Sequence, residues 1–140
     1  YHALVRGVDR QPIYVDERDH LRRIRYLRIA VGRFRWIVLF YVAMPNHDHL
    51  VFLVLEDTVA EGMQYLNGEY AKWVNWRHDR VGHLLQGRYK LLLVEGESYL
   101  FELSSYVHLN PVRAGLVERP EDYRWSTYRG YIDETQALPW

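Results

Sequence analysis

Nine apolar residues in a row, Trp36 to Met44, run straight into Pro45-Asn46, and a second largely apolar run follows from His49 to Leu55. The first run is less than half of the ~20 residues that a membrane-spanning helix needs. Its β-branched and aromatic content suits a buried strand instead. Pro45 and Asn46 are turn formers, so the two runs predict a hairpin of antiparallel strands, and no membrane span is expected.

The flanking segments have their own periods. His2 to Arg6 alternates weakly and stops at Gly7, which predicts a first strand leading into a polar turn, Gly7 to Pro12. Between Asp16 and Val31, Leu21, Ile24, Leu27 and Val31 recur at helical spacing, with Arg18, Arg22 and Arg25 on a separate basic face. After the hairpin, Val59, Met63, Leu66, Tyr70 and Trp73 step by four, three, four and three, a helix to about Asp79 with Tyr70, Trp73 and Trp76 expected in the core. Gly82 and Gly87 flank a loop, and Arg88 to Val94 reads as a fourth strand. Ser98 is an expected N-cap for a helix carrying Tyr99, Leu103, Tyr106 and Asn110 on one stripe, ended by Pro111.

The order β, α, β, β, α, β and a further helix is that of an α+β, ferredoxin-like split βαβ sandwich, a four-stranded antiparallel sheet with helices on one face. The last helix, Ser98 to Asn110, is the segment placed to lie across the other face. No repeat and no Pro/Ser/Gly-rich linker divides the chain, so residues 1–140 are expected to form a single domain.

The absence of cysteine removes disulfides, thiolate zinc sites and cysteine nucleophiles together, and fits a reducing cytoplasm, the expected location. Eighteen basic and eighteen acidic residues cancel, which argues against coating nucleic acid by bulk charge. The balance is uneven. Tyr1 to Arg35 carries nine Arg against four acids, and sixteen of the eighteen cations are Arg, whose planar fork suits phosphate.

Two constellations carry chemistry. In His47-Asp48-His49, alternation along a strand turns both imidazoles to one face, where they can share a cation, and turns Asp48 to the other. On the late helix, Tyr106 and Asn110 lie one turn apart on the same side. Each has an ordinary structural alternative: Tyr106 as packing beside Leu103, and Asn110 as the cap of a short turn from Pro111 to Ala114 that stops at Gly115.

The stretches Met44-Pro-Asn-His-Asp-His-Leu50, Gln86-Gly-Arg-Tyr-Lys90, Tyr106-Val-His-Leu-Asn-Pro-Val-Arg-Ala-Gly-Leu116 and Tyr123-Arg-Trp-Ser-Thr-Tyr128 occur in an order that resembles the single-tyrosine HUH transposases. Within them, the chain resembles the group associated with repetitive extragenic palindromes. The resemblance covers nearly the whole chain, from Tyr1-His2 onward. It implies that His47, His49 and Asn110 hold Mg²⁺ or Mn²⁺, and that Tyr106 is the nucleophile of single-stranded DNA nicking and strand transfer through a 5′-phosphotyrosine. It implies hairpin-forming DNA as partner, with the chain acting as a monomer or a homodimer. Candidate DNA contacts are Arg6, Arg88, Lys90 and Arg113, with Arg18, Arg22 and Arg25 either a backbone track or a solvated face. Trp125 and Tyr128 either stack on bases or pin the C-terminal segment. Two other readings remain open: a non-catalytic nucleic-acid-binding module of the same topology, and a metal-dependent phosphodiesterase that uses activated water.

One position departs from the family pattern. The middle residue of the motif is normally large and apolar, and here it is Asp48. A carboxylate aimed into the helix-packed core needs a cation or a donor there.

Overall fold

A computed structural model describes residues 1–140. Strand β1 (His2–Arg6) leads through a short 3₁₀ turn to α1 (Glu17–Phe34). The hairpin follows as β2 (Trp36–Met44) and β3 (His47–Val54), then α2 (Val59–Arg77) and β4 (Lys90–Leu92). Beyond the sheet come α3 (Glu97–His108), the single turn α4 (Asn110–Arg113) and a short α5 (Tyr128–Ile132). The sheet order is β2-β3-β1-β4, antiparallel throughout, the expected split βαβ arrangement.

Both faces of the sheet are covered, which is why β2 is apolar without interruption. Ala3, Val5, Leu50 and Phe52 point toward α1 and α2 and join Leu27, Met63, Leu66 and Tyr70 in the main core. Their neighbours turn the other way: Val42, Met44 and Val51 pack with Leu103 and Val107 of α3 in a second, smaller core. A bulge at Leu39 makes this possible. The pairing jumps from Val38 opposite Phe52 to Phe40 opposite Val51, and the extra residue switches which β2 side chains face α1 and α2. Trp36 does so before the bulge, Tyr41 and Ala43 after it.

Several boundaries differ from expectation for identifiable reasons. The β3 strand begins at His47, two residues earlier than expected, because β1 extends to Arg6 and pairs with it there. The β4 strand covers only Lys90–Leu92 of the expected 88–94, since Gly87, at φ 51, turns the chain before it and only His2 to Leu4 of β1 pair with it. Gly96, at φ 85, caps α3 in place of Ser98, which lies inside the first turn. Pro111 does not end α3, which stops at His108. It sits in the first turn of α4, where its missing N–H costs nothing. Trp76 is 78% exposed rather than in the core. In α1, which continues to Phe34, the buried stripe takes Arg23 and leaves the expected Leu21 46% exposed.

That exchange explains Asp48. Its carboxylate, 1% exposed, receives Arg23 Nε at 2.8 Å on one oxygen and the Tyr14 hydroxyl at 2.5 Å on the other. The remaining guanidinium nitrogens donate to the Leu66 carbonyl and to Asn67 Oδ1. Burial, and then the Asp48 charge, raise the Tyr14 phenol well above its ordinary pKa, so it stays protonated and donates. A one-residue substitution in the strand is thus compensated from α1, α2 and the loop before α1.

The C-terminal segment lies along the free edge of β2. The Ala43 amide donates to the Trp125 carbonyl, the Thr127 amide to the Tyr41 carbonyl, and the Tyr123 hydroxyl to the Ala43 carbonyl. An edge so paired is closed to other strands over that half.

Removing one partner of a buried ion pair leaves an uncompensated charge, at a cost of about 3–5 kcal/mol. Urea unfolding of Arg23→Met should show a loss of that size, and Arg23→Met with Asp48→Leu should recover most of it. A single variant within 1 kcal/mol of wild type would remove the pair from its assigned role. Acid lability is also expected. Burial lowers His20, stacked between Tyr14 and Trp125, and His108, bonded to Thr127 Oγ1, from 6.5 to about 4. Between those values the unfolded chain takes up protons that the folded chain refuses, so stability falls as pH drops. Denaturation midpoints measured from pH 7 to pH 4 should decline steadily, and a flat profile would contradict this.

Candidate active site

The site lies on the α3 face of the sheet, in a groove of about 640 Å³ between β1, β3, β4 and α3. Alternation along β3 turns His47 and His49 into it together, with ring centroids 5.0 Å apart. From α3, Tyr106 projects over the pair, its ring 6.0 Å from that of His49 and perpendicular to it. Leu103 and Val107 fix the height of α3 above the sheet, and Tyr106, one residue before Val107, falls at the margin of that packing. It is 52% exposed.

Asn110 reaches the same point. It opens α4 rather than continuing α3, yet Leu109 keeps a helical backbone (φ −86, ψ −4), so the chain hardly changes direction. The side chain does not cap the short turn, the alternative its sequence context allowed. Its amide nitrogen donates to His49 Nε2 at 2.8 Å. His49 Nδ1 in turn bonds His2 Nε2 at 2.9 Å, and His47 Nδ1 bonds Asn46 Oδ1 at 2.7 Å.

The electrostatics favour an anionic ligand. Arg6 and Lys90 line the groove, against Glu102 as its one carboxylate. The Arg113 guanidinium lies 4.5 Å over the Tyr106 ring and donates to its backbone carbonyl. Burial, then the neighbouring His47 and His2, push His49 down to about 3, and burial also lowers His47. Both imidazoles are therefore neutral near pH 7, with lone pairs to offer.

The donor set fits a divalent cation. No group of three or more His, Cys, Asp or Glu side chains is arranged to hold a metal ion by itself, and Asp48 is turned into the opposite core. Two neutral imidazoles remain, with Nδ1 of each engaged; Nε2 of His49 is held only by the Asn110 amide nitrogen, and turning that amide would free this lone pair and bring the amide oxygen into the set. The buried tyrosines Tyr14, Tyr41 and Tyr70 are unfit as nucleophiles, because burial withdraws them from any DNA strand and raises their phenols above the ordinary range, whereas Tyr106 is half exposed.

Of the residues expected from sequence to contact DNA, Arg6 and Lys90 lie in the groove, and Arg88 lies beside them in an adjoining cleft at the β4 edge. Arg113 stands against Tyr106. Trp125 and Tyr128 do not line the groove. Trp125 is stacked on His20 at 4.3 Å with Arg124 over it at 4.5 Å, and Tyr128 packs edge-on against His108. Both therefore pin the C-terminal segment. Arg18, Arg22 and Arg25 belong to α1, on the far side of the sheet, where Arg22 covers Trp73 at 4.7 Å. His2 had no assigned role from sequence. Its only signal was parity, since residues 2, 4 and 6 of β1 share the face of His47 and His49.

No curated protein matches the sequence. Among solved structures, the chain is similar to one described as a REP-associated tyrosine transposase bound to a REP hairpin. The TM-score is 0.78 at 15% identity, over 99% of this chain and 82% of that one. At that identity the likeness speaks for the shared fold. The sequence itself carries the family signal, for residues 1–110 match the family described as transposase, IS200-like. With the match spanning all four strands and reaching Asn110, the chain belongs to the IS200-like transposases.

Proposed function

We propose that this transposase nicks single-stranded DNA beside a hairpin and transfers the strand, with Tyr106 as nucleophile and a metal cofactor held by His47, His49 and Asn110. The observation that carries the reading is the half-exposed phenol of Tyr106 standing 6.0 Å from His49 in a basic groove, within one chain.

The phenol oxygen attacks the scissile phosphorus and its proton is lost to the groove. The P–O3′ bond breaks and the 3′ oxygen leaves as a hydroxyl once protonated. A phenol, with an ordinary pKa of about 10, ionises more readily than a sugar hydroxyl, so it can attack and later leave again. The 5′-phosphotyrosine keeps the bond energy, and the 3′-OH of another strand can displace the tyrosine to rejoin the DNA. A bound Mg²⁺ or Mn²⁺ supplies positive charge that polarises the phosphate. Arg113 holds the nucleophile's ring and carbonyl, while Arg6, Arg88 and Lys90 line the path of the sugar-phosphate backbone. The hairpin preference rests on the likeness to a transposase whose structure contains one.

A labelled hairpin oligonucleotide with a single-stranded flank, incubated with Mn²⁺ and run on a denaturing gel, should give a covalent protein–DNA band. Tyr106→Phe should lower that band at least about a thousandfold, and a chelator should abolish it. Cleavage with no band would favour a hydrolase using water, and binding with no cleavage a recognition module. In a salt titration of single-strand binding, Lys90→Ala should reduce the slope of log K against log salt by about 0.7, the share of one phosphate contact. An unchanged slope would take Lys90 out of the backbone path.

A further inference from the structure

His2 is a third histidine at the site, and neither the family signal nor the proposed chemistry gives it a role. It lies on β1 opposite Val51, one step diagonal from His49, which stands opposite Leu4. Parity puts its ring in the same groove, where it is 7% exposed and lies 24° from the plane of His49 with centroids 5.2 Å apart. The contact is polar as well as stacked, with His2 Nε2 at 2.9 Å from His49 Nδ1.

A neutral imidazole carries one proton on one of two nitrogens, and only the bare nitrogen can bind a metal. Hydrogen bonds at both ends of His49 decide which one is bare. At one end the Asn110 amide nitrogen donates to Nε2. Nε2 must then be the acceptor and Nδ1 the protonated nitrogen, donating to His2 Nε2. The proton of His2 consequently sits on its own Nδ1. His47 reaches the same tautomer separately, because Asn46 Oδ1 can only accept and so fixes the proton on His47 Nδ1.

We infer that His2 is a positioning residue, the acceptor that keeps His49 protonated on Nδ1 and presents its Nε2 lone pair to the cation. The inference rests on the metal reading above for its consequence, and not for the tautomer. Without His2, His49 Nδ1 would meet groove water, which donates as well as it accepts, and the wrong tautomer would compete. Partners of this kind typically change metal affinity by about 10- to 100-fold.

Three variants separate positioning from packing. His2→Phe keeps a stacked ring and loses the acceptor, His2→Ala loses both, and His2→Gln returns an acceptor oxygen. In the metal-free ¹⁵N-labelled protein, long-range proton–nitrogen correlation spectra should show wild-type His49 protonated on Nδ1, and His2→Phe should lose that single tautomer. Mn²⁺ titrations followed by electron paramagnetic resonance should give about a tenfold weaker Kd for His2→Phe and His2→Ala, with His2→Gln restoring most of the loss. A wild-type His49 protonated on Nε2 would overturn the inference, as would a His2→Phe protein with wild-type tautomer and affinity. Wild type that binds no Mn²⁺ while showing the Nδ1 tautomer would sink the metal reading and leave standing the role of His2 as the acceptor that fixes the His49 tautomer. The wild-type spectrum decides the tautomer even where a variant does not fold.

Discussion

The strand that carries the two site histidines is held from beneath by a buried ion pair. Asp48 points away from the groove and into the main core, where Arg23 and Tyr14 occupy both of its oxygens. A strand residue between two functional ones has only the core to face, so its anchorage sets how still its neighbours are. An apolar side chain would do this by packing. Here charge and geometry do it, and the pair links β3 to α1 through Arg23, to α2 through Leu66 and Asn67, and to the loop before α1 through Tyr14. Such pairs are weak stabilisers relative to an apolar replacement but strongly directional.

The second face of the sheet is built on a different principle. Its inner half is ordinary packing of Phe40, Val42, Met44 and Val51 beneath α3. Toward β1 and β4 the apolar residues give way to His2, His47, His49, Arg6 and Lys90, and the helix no longer closes over them. A single helix thus serves as a lid over the core on one side and as the bearer of Tyr106 over an open, basic groove on the other. The C-terminal segment supports it from behind, with His108 of α3 bonded to Thr127, which in turn bonds the backbone of Tyr41 in β2. The position of the phenol is therefore tied through covered contacts to the same hairpin that presents the histidines.

Much of this was legible in the residues. Alternation alone brought His47 and His49 to one face, and the spacing of Tyr106 and Asn110 brought both to one side of a helix. The order of periods predicted the sheet topology. What escaped was of two kinds. Boundaries moved where glycines at φ 51 and φ 85 turned the chain, at Gly87 and Gly96, because the choice between a loop and another residue of strand or helix depends on the partner strand. Roles moved where an aromatic or charged residue had two plausible uses. Trp125 packed against the core and Trp76 did not, although both are flanked by polar residues, and Arg23 took a buried position that a helical stripe would assign to Leu21.

The local sequence determined periodicity, turn chemistry and the direction in which each strand residue points, since these follow from backbone geometry within a few residues. It thereby placed the two groove histidines on one face, Tyr106 and Asn110 on one side of the helix, and the order of the elements. Tertiary structure decided the partners: Arg23 for Asp48, His2 for His49, Asn110 turned to His49 instead of to its own backbone, and the C-terminal segment along β2. These contacts join residues 25 to 86 positions apart. Their energies depend on burial and on angles that exist only once the sheet, with its bulge at Leu39, has closed between its two layers of helix.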